Sequence, residues 1–152
     1  MSFIQSIMAA VDLSKYSPAT VRYASQMARA LDTELLFVNV INQRDIDTIQ
    51  RIMASYETFK MDEFMKQRMR GRHEEIEELI KSCDAGGPKV RKIVRVGIPY
   101  QQLLAVIDEE KPDLLIMATK GRSDIIDVVM GSCARIMHRR SPIPVLSIRG
   151  AV

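Results

Sequence analysis

Five short runs of aliphatic and β-branched residues recur along the chain, and the stretches between them return an apolar residue every three or four positions. The first run, Ile4–Val11 (IQSIMAAV), ends on Asp12, and the second, Glu34–Ile41 (ELLFVNVI), is strongly apolar. The third, Val90–Val96 (VRKIVRV), alternates polar with apolar, the pattern of an edge strand or of a strand with one exposed face. The fourth, Leu114–Ala118 (LLIMA), is continuously apolar, and the fifth, Val145–Ile148 (VLSI), is entered through Pro142 and Pro144. Continuous apolar runs are what parallel strands covered on both faces require.

The intervening segments predict helices. Ser17-Pro18 reads as an N-cap followed by a proline at the first helical position, and Val21, Ala24, Met27, Ala28 and Leu31 follow at helical spacing. Residues 45–82 predict a mostly helical stretch with a break or a loose start near Asp45, stopped by Gly86-Gly87-Pro88. Pro99 opens another helix that ends near Lys111-Pro112. The last runs from about Asp127 or Met130 to Arg139 and stops at Ser141-Pro142. Such alternation predicts a single-domain α/β fold: an open, parallel, five-stranded sheet, doubly wound in the order 3-2-1-4-5, with helices on both faces. The order reverses between strands 1 and 4. A ligand crevice is expected there, between Asp12 and the segment Ala118-Thr119-Lys120-Gly121.

Composition narrows the class. A chain of 152 residues with 47% apolar and 27% charged residues can bury one core, which excludes disorder. Two cysteines, Cys83 and Cys133, exclude a disulfide scaffold and fit reduced thiols in a cytoplasmic protein. A net charge of +3 is too small for a nucleic-acid footprint unless it clusters. No apolar run approaches a membrane span, and the first residues lack the features of a signal peptide. His73 and His138 lie far from companion ligands, so no metal site is expected.

Chemistry concentrates in Met117–Ser132 (MATKGRSDIIDVVMGS). Phosphates need bare backbone N–H groups and a helix N-terminus; Gly121 and Gly131 permit the approach, Ser132 adds a hydroxyl, and Lys120 and Arg122 add positive charge. An ordinary strand-to-helix loop with turn glycines reads the same way. Asp12 either accepts hydrogen bonds from a ribose or base, or holds Mg2+ beside phosphates, or caps the helix that follows. Val40, at the end of strand 2, is a core valine or offers its backbone to a nucleobase.

The distributed segments IMAAVDLS, LLFVNVI, VGIP (96–99), DLLIMATKGRS (113–123) and GSCARIMHRRSPIPVLSIR (131–149) make the chain resemble the universal stress protein family along nearly its whole length. The nucleotide-binding branch of that family carries G-x2-G-x9-G-(S/T) in this loop. The register here is Ala118-x2-Gly121-x9-Gly131-Ser132, with alanine replacing the first glycine. Alanine supplies the same backbone N–H, but its methyl would weaken a site that needs positive φ or bare backbone. The resemblance implies ATP, with AMP or ADP as other occupants. It places Ala10, Val11 and Asp12 on the adenosine, the main chain of Val40 on the adenine edge, and Gly97–Pro99 beside the adenine pocket. It places Met117 and Ala118 near the ribose. Lys120, Gly121, Arg122, Gly131, Ser132 and Cys133 would surround the phosphates, with Mg2+ or Mn2+ bridging phosphate oxygens. It further implies a homodimer paired through the strand at 144–149, an apolar edge that needs cover.

The remaining features read more plainly. Lys66, Arg68, Arg70 and Arg72 are expected to be a solvated helix face balanced by Glu74, Glu75, Glu77 and Glu78. Met53, Met61, Met65 and Met69 fill an irregular core or form a pliable partner surface. Cys133, near a helix start, is either a thiolate-prone group or a small buried residue. His138 is a helix-end polar residue. The loop offers no general base beyond Asp12 or Asp124, which argues against a small-molecule hydrolase. The expected function is therefore an ATP-binding stress-response regulator, a homodimeric switch or sensor with at most slow hydrolysis. The alternative is a stress-linked interaction module that has lost its nucleotide and recognises a protein partner through 45–82.

Overall fold

The computed structural model describes residues 3–121 and 130–149. Among them, five strands and five helices follow the chain as β1 (Ser6–Ala10), α1 (Ser17–Leu31), β2 (Glu34–Asn42), α2 (Gln43–Met53), α3 (Met61–Ser82), β3 (Val90–Gly97), α4 (Pro99–Glu110), β4 (Leu114–Ala118), α5 (Ser132–Arg140) and β5 (Val145–Ile148). The strands form one sheet in the order β3-β2-β1-β4-β5, every pair parallel. Fold class and strand order agree with the sequence-based expectation.

Period-two alternation divides the core. Ile7, Ala9, Phe37, Ile41 and Ile116 turn to one face, under Val21 and Ala24 of α1 and Ile76 and Ile80 of α3. Met8, Leu36, Val38 and Met117 turn to the other, against Leu103, Val106 and Ile107 of α4 and Met137 of α5. Each fully buried aliphatic side chain contributes roughly 1.5–3 kcal/mol. β1 begins two residues later than predicted, because Asp113 Oδ2 accepts from the amides of Gln5 and Ser6 at 2.8 and 3.0 Å and so fixes the strand's entry. β2 runs one residue further: Asn42 pairs in register with Gly97, and its side chain then caps α2 by accepting from Arg44 N at 3.0 Å.

Four local expectations are corrected. Ser17 is the first helical residue, not the cap; Tyr16 occupies the cap position, and the Ser17 hydroxyl is donated to Asp12 Oδ1 at 3.1 Å. The 45–82 stretch is two helices, with α2 starting at Gln43 and the break falling at 54–60. α3 ends at Ser82 as expected, but the glycines do not stop it: Asp84 takes a left-handed φ of 51°, and Ala85, 1% exposed, folds back with its amide on Ile80 O at 2.9 Å. The last helix starts at Ser132, while Asp127 lies outside the described residues.

The two sheet edges differ. β3 carries Arg91, Lys92 and Arg95, which pair with Glu110 (3.1 Å), Glu77 (2.7 Å) and Glu109 on the flanking helices. The Lys92 hydrogen bond and charge hold the Glu77 carboxyl below its ordinary range. β5 is apolar apart from Ser147, and all four of its residues are half-buried. His138, placed at the helix end as expected, shares a hydrogen bond with Ser147 and ties α5 to β5.

Candidate functional site

At the carboxyl ends of β1 and β4, where the strand order reverses, lies a cavity of about 720 Å³. Its wall includes Ala10, Val11 and Asp12 from the β1 exit, Val40 from β2, and Met117, Ala118, Lys120 and Gly121 from the β4 exit; Gly131, Ser132 and Cys133 close it at the start of α5. Thus the sequence-derived site residues converge, except Arg122, which lies outside the described residues. Of the Gly97–Pro99 segment, Ile98 and Pro99 line the cavity and Gly97 does not. The crevice is a consequence of connectivity: α1, which follows β1, and α5, which follows β4, pack on opposite faces of the sheet, so the chain parts over the sheet's end between these two strands.

The loop glycines are required for space, not for unusual torsions. A Cβ on Gly121 would stand 2.4 Å from Asp12 Oδ2. A Cβ on Gly131 would stand 3.3 Å from the carbonyl oxygen of Thr119 and 3.8 Å from Gly121 N, so the two glycines pack backbone against backbone. Gly131 donates its own N–H to Thr119 O. Gly131 also occupies the N-cap position of α5 with φ −68°, and among the described residues no side chain caps the helix. The amides of Ser132, Cys133 and Ala134 therefore begin α5 at the cavity with the positive end of the helix dipole behind them. Ala118 is the last residue of β4, paired with Ile148, and is not among the positive-φ residues. Its methyl is accommodated in extended backbone without strain, which removes the torsional objection to alanine there.

Asp12 is half-buried and already engaged on one side. Its Oδ1 accepts from Ser14 N at 3.0 Å and from the Ser17 hydroxyl at 3.1 Å, a turn that Leu13 supports with a left-handed φ of 64°. Oδ1 thus closes a turn ahead of α1 and caps no helix amide, which corrects the capping expectation, while Oδ2 lies over Gly121. Cys133 is the second residue of α5, but burial and the Asp12 carboxylate push its thiol up to about 11. That overturns the thiolate reading: the helix dipole is outweighed by desolvation and a neighbouring negative charge.

Arg44, Asp45 and Arg68 also line the cavity and were not anticipated. The basic run was expected to face solvent, yet Arg72 is 5% exposed and donates to Asn39 Oδ1 at 3.3 Å, while Asn39 Nδ2 donates to the carbonyl of Val11 at 2.7 Å. This brace joins α3 through β2 to the β1 exit that presents Asp12. The signal was available: Arg68, Arg72, Ile76 and Ile80 stand four residues apart, so two arginines continue the apolar stripe of α3. Among the described residues no cluster of three metal-ligating side chains occurs, and no helix is long and apolar enough to cross a membrane.

The model of the universal stress protein family matches residues 4–149. Universal stress protein MJ0577 of Methanocaldococcus jannaschii is 22% identical, covering 95% of this chain and 94% of its own. Its solved structure superposes with a TM-score of 0.76 over 98% of each chain. A universal stress protein solved in complex with cAMP is 25% identical with a TM-score of 0.63, covering 97% of this chain and 98% of its own. A third, from Archaeoglobus fulgidus in complex with dAMP, has a TM-score of 0.60 at 15% identity and covers 97% of this chain and 99% of its own. With its strand order, its crevice at the β1/β4 reversal and a family match over nearly every residue, this chain belongs to the universal stress protein family.

Proposed function

We propose that the chain binds an adenine nucleotide, ATP or its products ADP and AMP, in the β1/β4 cavity and acts as a homodimeric regulatory switch. The observation that carries this is the uncapped start of α5 beside two close-packed glycines, inside a cavity whose opposite wall (Val40, Ile98, Leu103) suits a purine. The cAMP and dAMP complexes of the related proteins support the same ligand class. Ala10, Val11 and Asp12 would face the adenosine, the main chain of Val40 the base edge, and Met117 and Ala118 the ribose. Because the Gly131 amide is committed to Thr119, the phosphate donors are the amides of Ser132, Cys133 and Ala134, with Lys120 adding charge and Gly121 leaving room. Among the described residues Asp12 is the carboxylate beside that loop, and Mg2+ or Mn2+ would be held mainly by phosphate oxygens. Of the two candidate bases, Asp124 lies outside the described residues and Asp12 already has its Oδ1 held by Ser14 N and the Ser17 hydroxyl, which favours signalling by occupancy with at most slow hydrolysis. The half-buried β5 edge supports pairing of two copies through 144–149 in a cytoplasmic dimer.

The test is direct. Protein purified without added ligand is denatured, its supernatant assayed for adenine nucleotides, and the refolded or stripped protein titrated with ATP by calorimetry. Binding that Gly131→Val abolishes while leaving the circular dichroism intact is the expected result. The absence of both co-purified nucleotide and binding heat would refute it. Sedimentation velocity should give twice the 17.2 kDa chain mass.

A further inference from the structure

The cavity has a second cationic side. Ala10, Val40, Met117 and Cys133 belong with the α4/α5 face of the sheet, whereas Ile41, Ile46 of α2 and Ile76 and Ile80 of α3 belong with the α1/α3 face. Arg44 on α2 and Arg68 on α3 reach the cavity from that latter side. Arg68 Nε is buried without a hydrogen-bond partner, in contrast to Arg72 one turn later, which has Asn39 and, at 3.8 Å, Glu75. Asp45 lines the same side, and among the described residues it forms no ion pair with either arginine. A guanidinium whose Nε is withdrawn from water without an acceptor is held at a cost that an incoming anion can offset.

We propose that Arg68 and Arg44 form a second phosphate subsite, which takes a 2′- or 3′-phosphate on the ribose of the nucleotide. This rests on the nucleotide reading above. With the base against Val40 and the 5′-phosphate at α5, both on the α4/α5 side, the ribose crosses the end of β1. Its remaining edge, carrying the 2′ and 3′ oxygens, faces the α1/α3 side. The exits of β2 and β4 flank β1 and so lie about 10 Å apart, two inter-strand spacings. One ribose bearing two phosphates spans that gap with the help of an arginine side chain. The guanidinium fork matches phosphate oxygens in a bidentate geometry that lysine does not reproduce. The ligand class is a purine nucleoside bisphosphate.

Calorimetry of the full chain with AMP, adenosine 3′,5′-bisphosphate and adenosine 2′,5′-bisphosphate tests this, using wild type, Arg68→Met and Arg68→Lys, with thermal melts to confirm folding. At least one bisphosphate should bind about tenfold more tightly than AMP, the worth of one charge-assisted contact. Arg68→Met should erase that margin and leave the AMP affinity within about twofold, and Arg68→Lys should restore only part of it. The isomer that keeps the advantage identifies the ribose position. A bisphosphate that binds no better than AMP, or an advantage that survives Arg68→Met, overturns the subsite. If AMP gives no heat but a bisphosphate binds and is lost in Arg68→Met, the subsite stands and the 5′-monophosphate reading falls. If none of the three binds, the subsite falls, and the ATP titration above decides the nucleotide reading on its own. Should Arg68→Met fail to fold, Arg44→Gln carries the same comparison with the same two outcomes.

Discussion

Replacing Gly121 with alanine should disturb the site through a single contact. The new Cβ would stand 2.4 Å from Asp12 Oδ2 and 3.6 Å from its Cγ. An ordinary contact is near 3.5 Å, so the carboxylate oxygen must retreat by about 1 Å. Asp12 is short, and its two oxygens share one plane; moving Oδ2 also moves Oδ1, which holds Ser14 N and the Ser17 hydroxyl at 3.0 and 3.1 Å. Hydrogen bonds to a charged group contribute about 1.5–3 kcal/mol each, and a half-buried pair that is weakened without being abolished should lose about 2 kcal/mol in total. Equilibrium urea unfolding measures this as a lower midpoint at unchanged slope. The decisive control is the double-mutant cycle with Asp12→Ala, which removes the obstructing carboxylate. In that background Gly121→Ala should cost under about 0.5 kcal/mol, so the coupling should approach the whole effect. Equal costs in the two backgrounds would refute the argument and place the constraint on Gly121 elsewhere.

Gly71 lies inside α3 with nothing within 4 Å of an added Cβ, so Gly71→Ala should raise stability by about 0.5–1 kcal/mol, measured by the same urea unfolding. Asn39→Ala should cost about 2–4 kcal/mol, because it removes one acceptor from the buried Arg72 guanidinium and the amide that donates to the Val11 carbonyl; a loss under about 1 kcal/mol would show that the brace is incidental. The Cys133 thiol, raised from an ordinary 9.0 to about 11, should alkylate slowly with iodoacetamide at pH 8 and speed up only toward pH 11, and Asp12→Asn should shift that profile downward. The same shift makes its contribution to stability complete below pH 9 and lost as pH rises toward 11. Glu77 has the opposite sign: its lowered pKa contributes above 4.5 and is lost as pH falls below that value, so Glu77→Gln should flatten the acid limb of stability against pH.

The sheet was legible because its strands are short, apolar and separated by helices, a pattern that leaves few connections. β4 and β5 match the expected limits residue for residue, since Pro112 and Pro144 punctuate their starts. The cavity's β1, β4 and α5 walls were legible as well, since strand ends and loop glycines are local features. The arginine side was not. Arg68 and Arg72 sit among glutamates in sequence, and charge counting assigns such a run to solvent; only the continuation of the Ile76–Ile80 stripe marks them as inward positions. The Cys133 thiol was open to two readings because helix-terminus proximity is visible in sequence, whereas burial beside Asp12 is a tertiary fact. The end of α3 at Ser82 was legible, but what turns the chain there was not: Asp84 supplies the left-handed turn that the glycines were expected to supply.

The unlike flanks of the sheet limit how far copies of this chain can join. The β3 flank is fenced by arginine and lysine locked onto glutamates of α3 and α4, and its backbone offers a poor template to an incoming strand. Among the described residues the β5 flank carries no such fence, and in the dimer proposed above it is the side that would accept one. A building block with one adhesive side closes after a single symmetric union, because each partner uses up the other's only docking line. Fibrous growth would need a second compatible side, and substituting the β3 charges with threonine or valine is the change that would create one.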